Sequence, residues 1–252
     1  MDLDRITNPL RLAKGPHQPG TGAGCAMNVI SYINGDSKIT DYPACSARPL
    51  AAFVQSCNDL LAGPGGYLTP ENSIIALDLG WQTVGTAGVS RRVIHGWVAE
   101  LLTSPTWGLV RYAKITTIKA IANIAELHRR IARGTMPSLT SWHTAYDIAM
   151  GEANAFVFAS NPAGFYALQA AHQSTELVGD RRQATLDAVT GSALRAHVLG
   201  TGIDSPIRYA QVTSEAIQSW RRLAGLPQPK RAAPHQPARR NDRARRFART
   251  SA

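Results

Sequence analysis

The chain has 252 residues, 44% of them hydrophobic and 17% charged, with a net charge of +10. This is enough apolar material for one large core or two small ones, and too little charge for a disordered polyelectrolyte. The excess charge is local: residues 227–252 hold eight Lys and Arg against Asp242, a net +7, while the preceding body has 19 basic against 16 acidic residues. The high isoelectric point therefore says little about the folded surface.

Residues 1–23 carry Pro9, Pro16 and Pro19, then Gly20 and Gly22, and predict an irregular arm pinned to the body by Leu3, Ile6, Leu10 and Leu12. Cys25 to Ile33 predicts a short helix, with Met27, Ile30 and Ile33 at spacing three and Gly35 placed to end it. Pro49 suits the first turn of the next helix, which continues to Leu61 with Leu50, Phe53, Val54, Cys57 and Leu61 on one face. Thr69-Pro70-Glu71 opens another: a hydroxyl cap, a proline at the first position and an acid in the first turn. It carries Ile74, Leu77 and Trp81 and fades near Gly85.

Ser90 is placed to cap a helix that turns Val93, Trp97, Val98 and Leu101 inward and stops before Pro105. Residues 114–133 make the clearest helix, with a drifting stripe of Ile115, Ile118, Ile121, Ala122, Ala125 and Leu127. Arg129, Arg130 and Arg133 near its C-terminus complement the helix dipole. Further helices are expected over Pro137–Ala153, Pro162–Leu177, Asp180–Leu199 and Ile207–Leu223, the last with Val212, Ala216, Trp220 and Leu223 at spacings four, four and three. Strand-like alternation is nearly absent, and connections are short, as in a bundle. The expected fold is all-α: a single multi-helix globular domain, residues 24–226, after the arm of residues 1–23. From Pro227 onward, four prolines, many arginines and few large apolar residues predict a disordered basic tail.

Three cysteines, an odd number, fit a reducing compartment better than a secreted disulfide framework. The N-terminus has no apolar signal-peptide core, and no window reaches eighteen consecutive apolar residues. A cytoplasmic protein without a membrane span is expected.

Chemistry has few places to sit. His17, Cys25, Asp41 and Cys45 are the candidate metal ligands, and zinc the ion they suit, because thiolate, imidazole and carboxylate are all zinc ligands. Their spacing is not that of a finger or ribbon. A thiolate at Cys25, where the helix opens, would be stabilised by the amide dipoles. The bland alternative makes Cys25 and Cys45 small core residues, with His17 and Asp41 hydrogen-bonded to backbone, and carries more weight. Gly20-x-Gly22-x-Gly24 lacks the Lys-Ser/Thr of a P-loop and the preceding strand of a dinucleotide fingerprint. No nucleophile elbow, His-Glu-x-x-His pair or facing carboxylates occur, and the seven histidines are scattered. In the tail, Lys230, Arg231, Arg239, Arg240, Arg243, Arg245, Arg246 and Arg249 are candidate contacts for nucleic acid or another polyanion. With Phe247 the only tail aromatic, binding there should be sequence-independent.

The segment Gly24-Cys-Ala-Met-Asn28, followed by Asp41-Tyr-Pro-Ala-Cys45, resembles a group of uncharacterised helical proteins of actinobacteria and their phages. The resemblance covers roughly residues 15–61. Members often carry a glutamate where this chain has Asn28. The resemblance implies provenance and a helical fold, and no mechanism. Taken together, the expectation is a non-enzymatic helical binding protein, with no cofactor, whose basic tail contacts nucleic acid and whose body binds a protein partner. The alternatives are a zinc protein or enzyme centred on residues 17–45, and a structural or assembly protein.

Overall fold

The computed structural model describes residues 11–15, 22–154, 161–201 and 205–228. Among them are nine α-helices: α1 (Ala26–Asn34), α2 (Arg48–Leu61), α3 (Pro70–Gln82), α4 (Arg91–Thr103), α5 (Ile115–Ala132), α6 (Leu139–Asn154), α7 (Pro162–Ser174), α8 (Arg182–Thr201) and α9 (Pro206–Leu223). Short 3-10 turns follow α4 and α7, at Leu109–Tyr112 and Thr175–Val178. The fold is all-α. One hydrophobic cluster takes residues from all nine helices.

Local sequence explains most ends. Gly35 sits at φ 78 and terminates α1 in the left-handed conformation that glycine adopts at no steric cost. The Thr69 side chain accepts from the Asn72 amide, with Pro70 next to it, and so starts α3. Asn161 does the same for α7, accepting from the Gly164 amide at 2.9 Å. Ser90 precedes α4 but makes no capping bond through its side chain.

Two strands that the sequence pattern does not announce pair in parallel, β1 (Arg11–Leu12) with β2 (Ala23–Gly24). They are only two residues each, yet they carry the arm inward. Leu12 and Ala13 are buried, Leu12 O accepts from Leu68 N, and Asn58 Nδ2 donates to Ala13 O. The other expected anchors, Leu3, Ile6 and Leu10, lie outside the described residues.

The large apolar residues that announce α3 and α5 are not all turned inward. In α3, Ile74 and Trp81 are 66% and 55% exposed, while Ala76, Leu79 and Gly80 are buried. At about 100° per residue the two sets lie on opposite sides of the helix. Smallness chose the face: a Cβ on Gly80 would stand 3.1 Å from Ile30 Cγ1, so α1 packs where α3 offers no bulk. In α5 the buried arc runs through Thr117, Ile121, Ile124, His128 and Ile131. Ile115 lies roughly 160° from its centre and is 88% exposed.

The centre of the core is aromatic. Trp97 on α4 is wholly buried against Phe53, Trp107 and Trp220, at centroid distances of 6.1, 5.9 and 5.3 Å. Its Nε1 donates to Ala216 O at 2.9 Å, and Trp220 Nε1 donates to Thr86 O at 3.1 Å. Both indole N–H groups thus have the partner that burial demands. Among the described residues no helix is long and apolar enough to cross a membrane.

Candidate functional site

The N-terminal candidates are only partly brought together. Cys25 stands just before α1, and its backbone N–H donates to Asn28 Oδ1 at 2.9 Å. The Asn28 amide turns its other end to Asp41 Oδ1 at 2.8 Å, and the Cys25 thiol donates to the same oxygen at 3.5 Å. Asp41 is held in turn by Gln55 Nε2, which donates to its backbone carbonyl. An amide suits position 28 because it accepts from one neighbour and donates to the other.

Cys45 lies apart from this group. Its carbonyl accepts from Gly85 N and its sulfur lies 3.7 Å from Ser46 Oγ. His17 is outside the described residues. Cys25 and Asp41 supply two of the four ligands of a closed zinc site. Among the described residues no three His, Cys, Asp or Glu are grouped to hold an ion.

The expected thiolate at Cys25 is corrected by burial. Desolvation pushes its pKa up to about 12, the amide N–H of Asn28 pulls the other way, and the Asp41 charge adds to the rise. The dipole effect at the helix start is present but smaller than the cost of taking a charge out of water. Cys57, buried on α2, is raised to about 12 for the same first reason. In the glycine-rich stretch, the carbonyls of Gly22 and Gly24 accept from Arg11 N and Ala13 N. They belong to the strand pair. Gly20 is outside the described residues.

One polar constellation in the interior was not visible as a motif. His95 on α4 and His128 on α5 meet through their Nδ1 atoms at 2.7 Å. Arg91 Nε donates to His95 Nε2 at 3.3 Å, so the His95 proton is on Nδ1. That proton is donated to His128 Nδ1. His128 Nε2 then donates to Ser174 Oγ at 3.0 Å, and Ser174 donates to Ala171 O at 2.6 Å. The relay runs one way, from a cation to a backbone carbonyl, and fixes one tautomer for each ring. It ties α4, α5 and α7 together.

Desolvation lowers His95 to about 4, with the charges of Arg91 and Arg182 adding to the effect. Desolvation also holds His128 well below the ordinary histidine value. Both rings are neutral partners of each other. Each is in phase with the buried stripe of its own helix, and that phase was the signal available in the sequence.

Trp142 on α6 covers the His128 ring edge-on at 5.0 Å. It also lines a cavity of about 630 Å³ between α6, the second 3-10 turn and the start of α8, together with Tyr146, Glu176, Asp180 and Arg181. The relay therefore lies directly behind the cavity wall.

Replacing one relay histidine should cost more than replacing both. His128→Leu strands the His95 Nδ1–H and should destabilise by roughly 1–3 kcal/mol, whereas the His95→Leu/His128→Leu pair removes donor and acceptor together. Chemical denaturation of the two single variants and the double variant measures this. Strictly additive losses would contradict the relay.

The eight tail cations, Lys230 to Arg249, lie outside the described residues. The residues that lead to them are fixed: Arg221 donates to Gln82 O, Val84 O and Pro227 O, and Arg222 pairs with Glu100 at 2.6 Å. No protein-family model matches the chain, and neither a curated protein nor a solved structure matches it significantly.

Proposed function

We propose that the protein is a non-catalytic helical binding protein that holds a polyanion, nucleic acid foremost, through its C-terminal basic segment. The observation that carries this reading is the separation of charge: +7 on residues 227–252 against +3 on all the rest. Phosphate backbones release counterions when such a segment binds them, and the gain does not depend on base sequence. The interior supports a non-catalytic role. Its histidine pair is neutral and mutually satisfied, and the thiols of Cys25 and Cys57 are raised far from the thiolate range.

Replacing the eight Lys and Arg of residues 227–252 by glutamine should weaken binding to a random-sequence DNA duplex at least tenfold in low salt. It should also flatten the salt dependence, since each phosphate neutralised contributes a slope of about 0.9. Fluorescence anisotropy across a salt series reads both. Equal affinity of the neutralised chain would refute the reading.

A further inference from the structure

Helix α6 lines the cavity with one side. Leu139, Trp142, His143 and Tyr146 recur at helical spacing, and all four border the space of about 630 Å³. Beside Trp142, the residues that α6 buries are small, Ala145 and Ala149. Burying large apolar groups is what stabilises a core. Here Tyr146 and His143 instead border a space of the size that holds a metabolite.

The wall of this cavity carries polar atoms without partners. Trp142 is 3% exposed, and its Nε1 has no hydrogen-bond partner among the described residues. The indoles of Trp97 and Trp220 both have one. The Tyr146 ring lies 4.3 Å from the ring of His172, whose buried Nε2 is likewise without a partner. Buried polar groups are as a rule satisfied. An indole N–H only donates, so the partner that Trp142 lacks is an acceptor.

The rim carries both signs of charge. Glu176 and Asp180 supply carboxylates and Arg181 a guanidinium, and all three are exposed cavity residues. None of them is tied into an ion pair among the described residues. The aromatic wall suits a flat apolar body, and a rim of mixed sign suits a ligand that bears both charges. A singly charged ligand would meet a rim charge of its own sign.

We propose that this cavity binds a small aromatic zwitterion with the chemistry of an aromatic amino acid. The ring lies against Trp142 and Tyr146, the ammonium toward Glu176 and Asp180, and the carboxylate toward Arg181. The site does not use the basic tail, so it stands or falls apart from the polyanion reading.

The probe is L-phenylalanine, set against phenethylamine, which lacks the carboxylate, and 3-phenylpropionate, which lacks the ammonium. Each is titrated into the full-length, nitrogen-15-labelled protein, and the indole N–H signals of the five tryptophans are followed by NMR. The signal lost in Trp142→Phe is that of Trp142.

Phenylalanine should shift the Trp142 signal saturably, with a Kd of about 1 mM or tighter. It should bind at least about fivefold more tightly than either singly charged probe. Arg181→Gln should erase its advantage over phenethylamine, and Glu176→Gln/Asp180→Asn its advantage over 3-phenylpropionate. The substituted side chains are exposed, so both variants should melt within about 2 °C of the wild type. The tail-neutralised chain should bind phenylalanine as the wild type does. A Trp142 signal that does not move with phenylalanine up to about 10 mM overturns the proposal. So does equal or tighter binding of either singly charged probe, or wild-type selectivity in both variants.

Discussion

Folding stability should fall steeply once the pH drops below about 6, by up to roughly 4 kcal/mol per pH unit at the steepest. The cause is three buried neutral histidines, His95, His128 and His197. Burial lowers His95 to about 4 and His197 to about 3, and holds His128 well below its ordinary value. In the unfolded chain each takes a proton near pH 6.5. Between these limits the unfolded state binds more protons, so acid favours it. The stabilisation is whole above pH 6.5 and is lost as the pH falls toward 4. Each histidine contributes about 1.4 kcal/mol per pH unit in that window. A domain with an ordinary stability of about 5–15 kcal/mol should therefore unfold in mild acid.

Denaturant titrations from pH 7.5 to 4.5 should show midpoints that fall with nearly constant slope. A flat midpoint over that range would show that the rings are not held neutral. The His95→Leu/His128→Leu variant removes two of the three fully buried groups, so the pH dependence should weaken markedly, with His197 and the half-buried His172, also lowered by desolvation, carrying what remains.

The second large effect is at Trp97. Trp97→Ala should destabilise the protein by about 4 kcal/mol and lower the melting temperature by roughly 10 °C. The ring is fully buried and touches aromatic residues from α2, the loop after α4, and α9. Its removal leaves a cavity that three large rings cannot collapse into without leaving their own contacts. The lost hydrogen bond to Ala216 O is a smaller loss, since Ala216 lies inside α9, where a carbonyl accepts from the amide four residues on. Ile115→Ala is the informative control. It shortens a large apolar side chain at a position that is 88% exposed, and should shift stability by less than about 0.5 kcal/mol. A comparable loss at both sites would mean that the inward face of α5 is misassigned.

That control marks where sequence reading and tertiary structure part. The drifting stripe of α5 announced a helix and held Ile121, Ala125 and Leu127, which are buried, but its first residue, Ile115, faces out. Ile74 and Trp81 likewise announce α3 yet face out, because Gly80 made room for Ile30 on the other side. At the candidate site, Cys25 and Asp41 were legible as neighbours because a short turn returns the chain to the start of α1. Cys45, only a few residues further on, belongs with Ser46 and the loop after α3.

The histidine relay joins positions 33 and 46 residues apart, with no spacing rule to reveal it. Helices, caps and the charge of the tail are written locally, because they depend on residues within a turn or two of one another. Which face is buried and which histidines share a hydrogen bond are decided by distant segments. Burial is a property of what packs against a residue, and that partner is absent from any local window of the sequence.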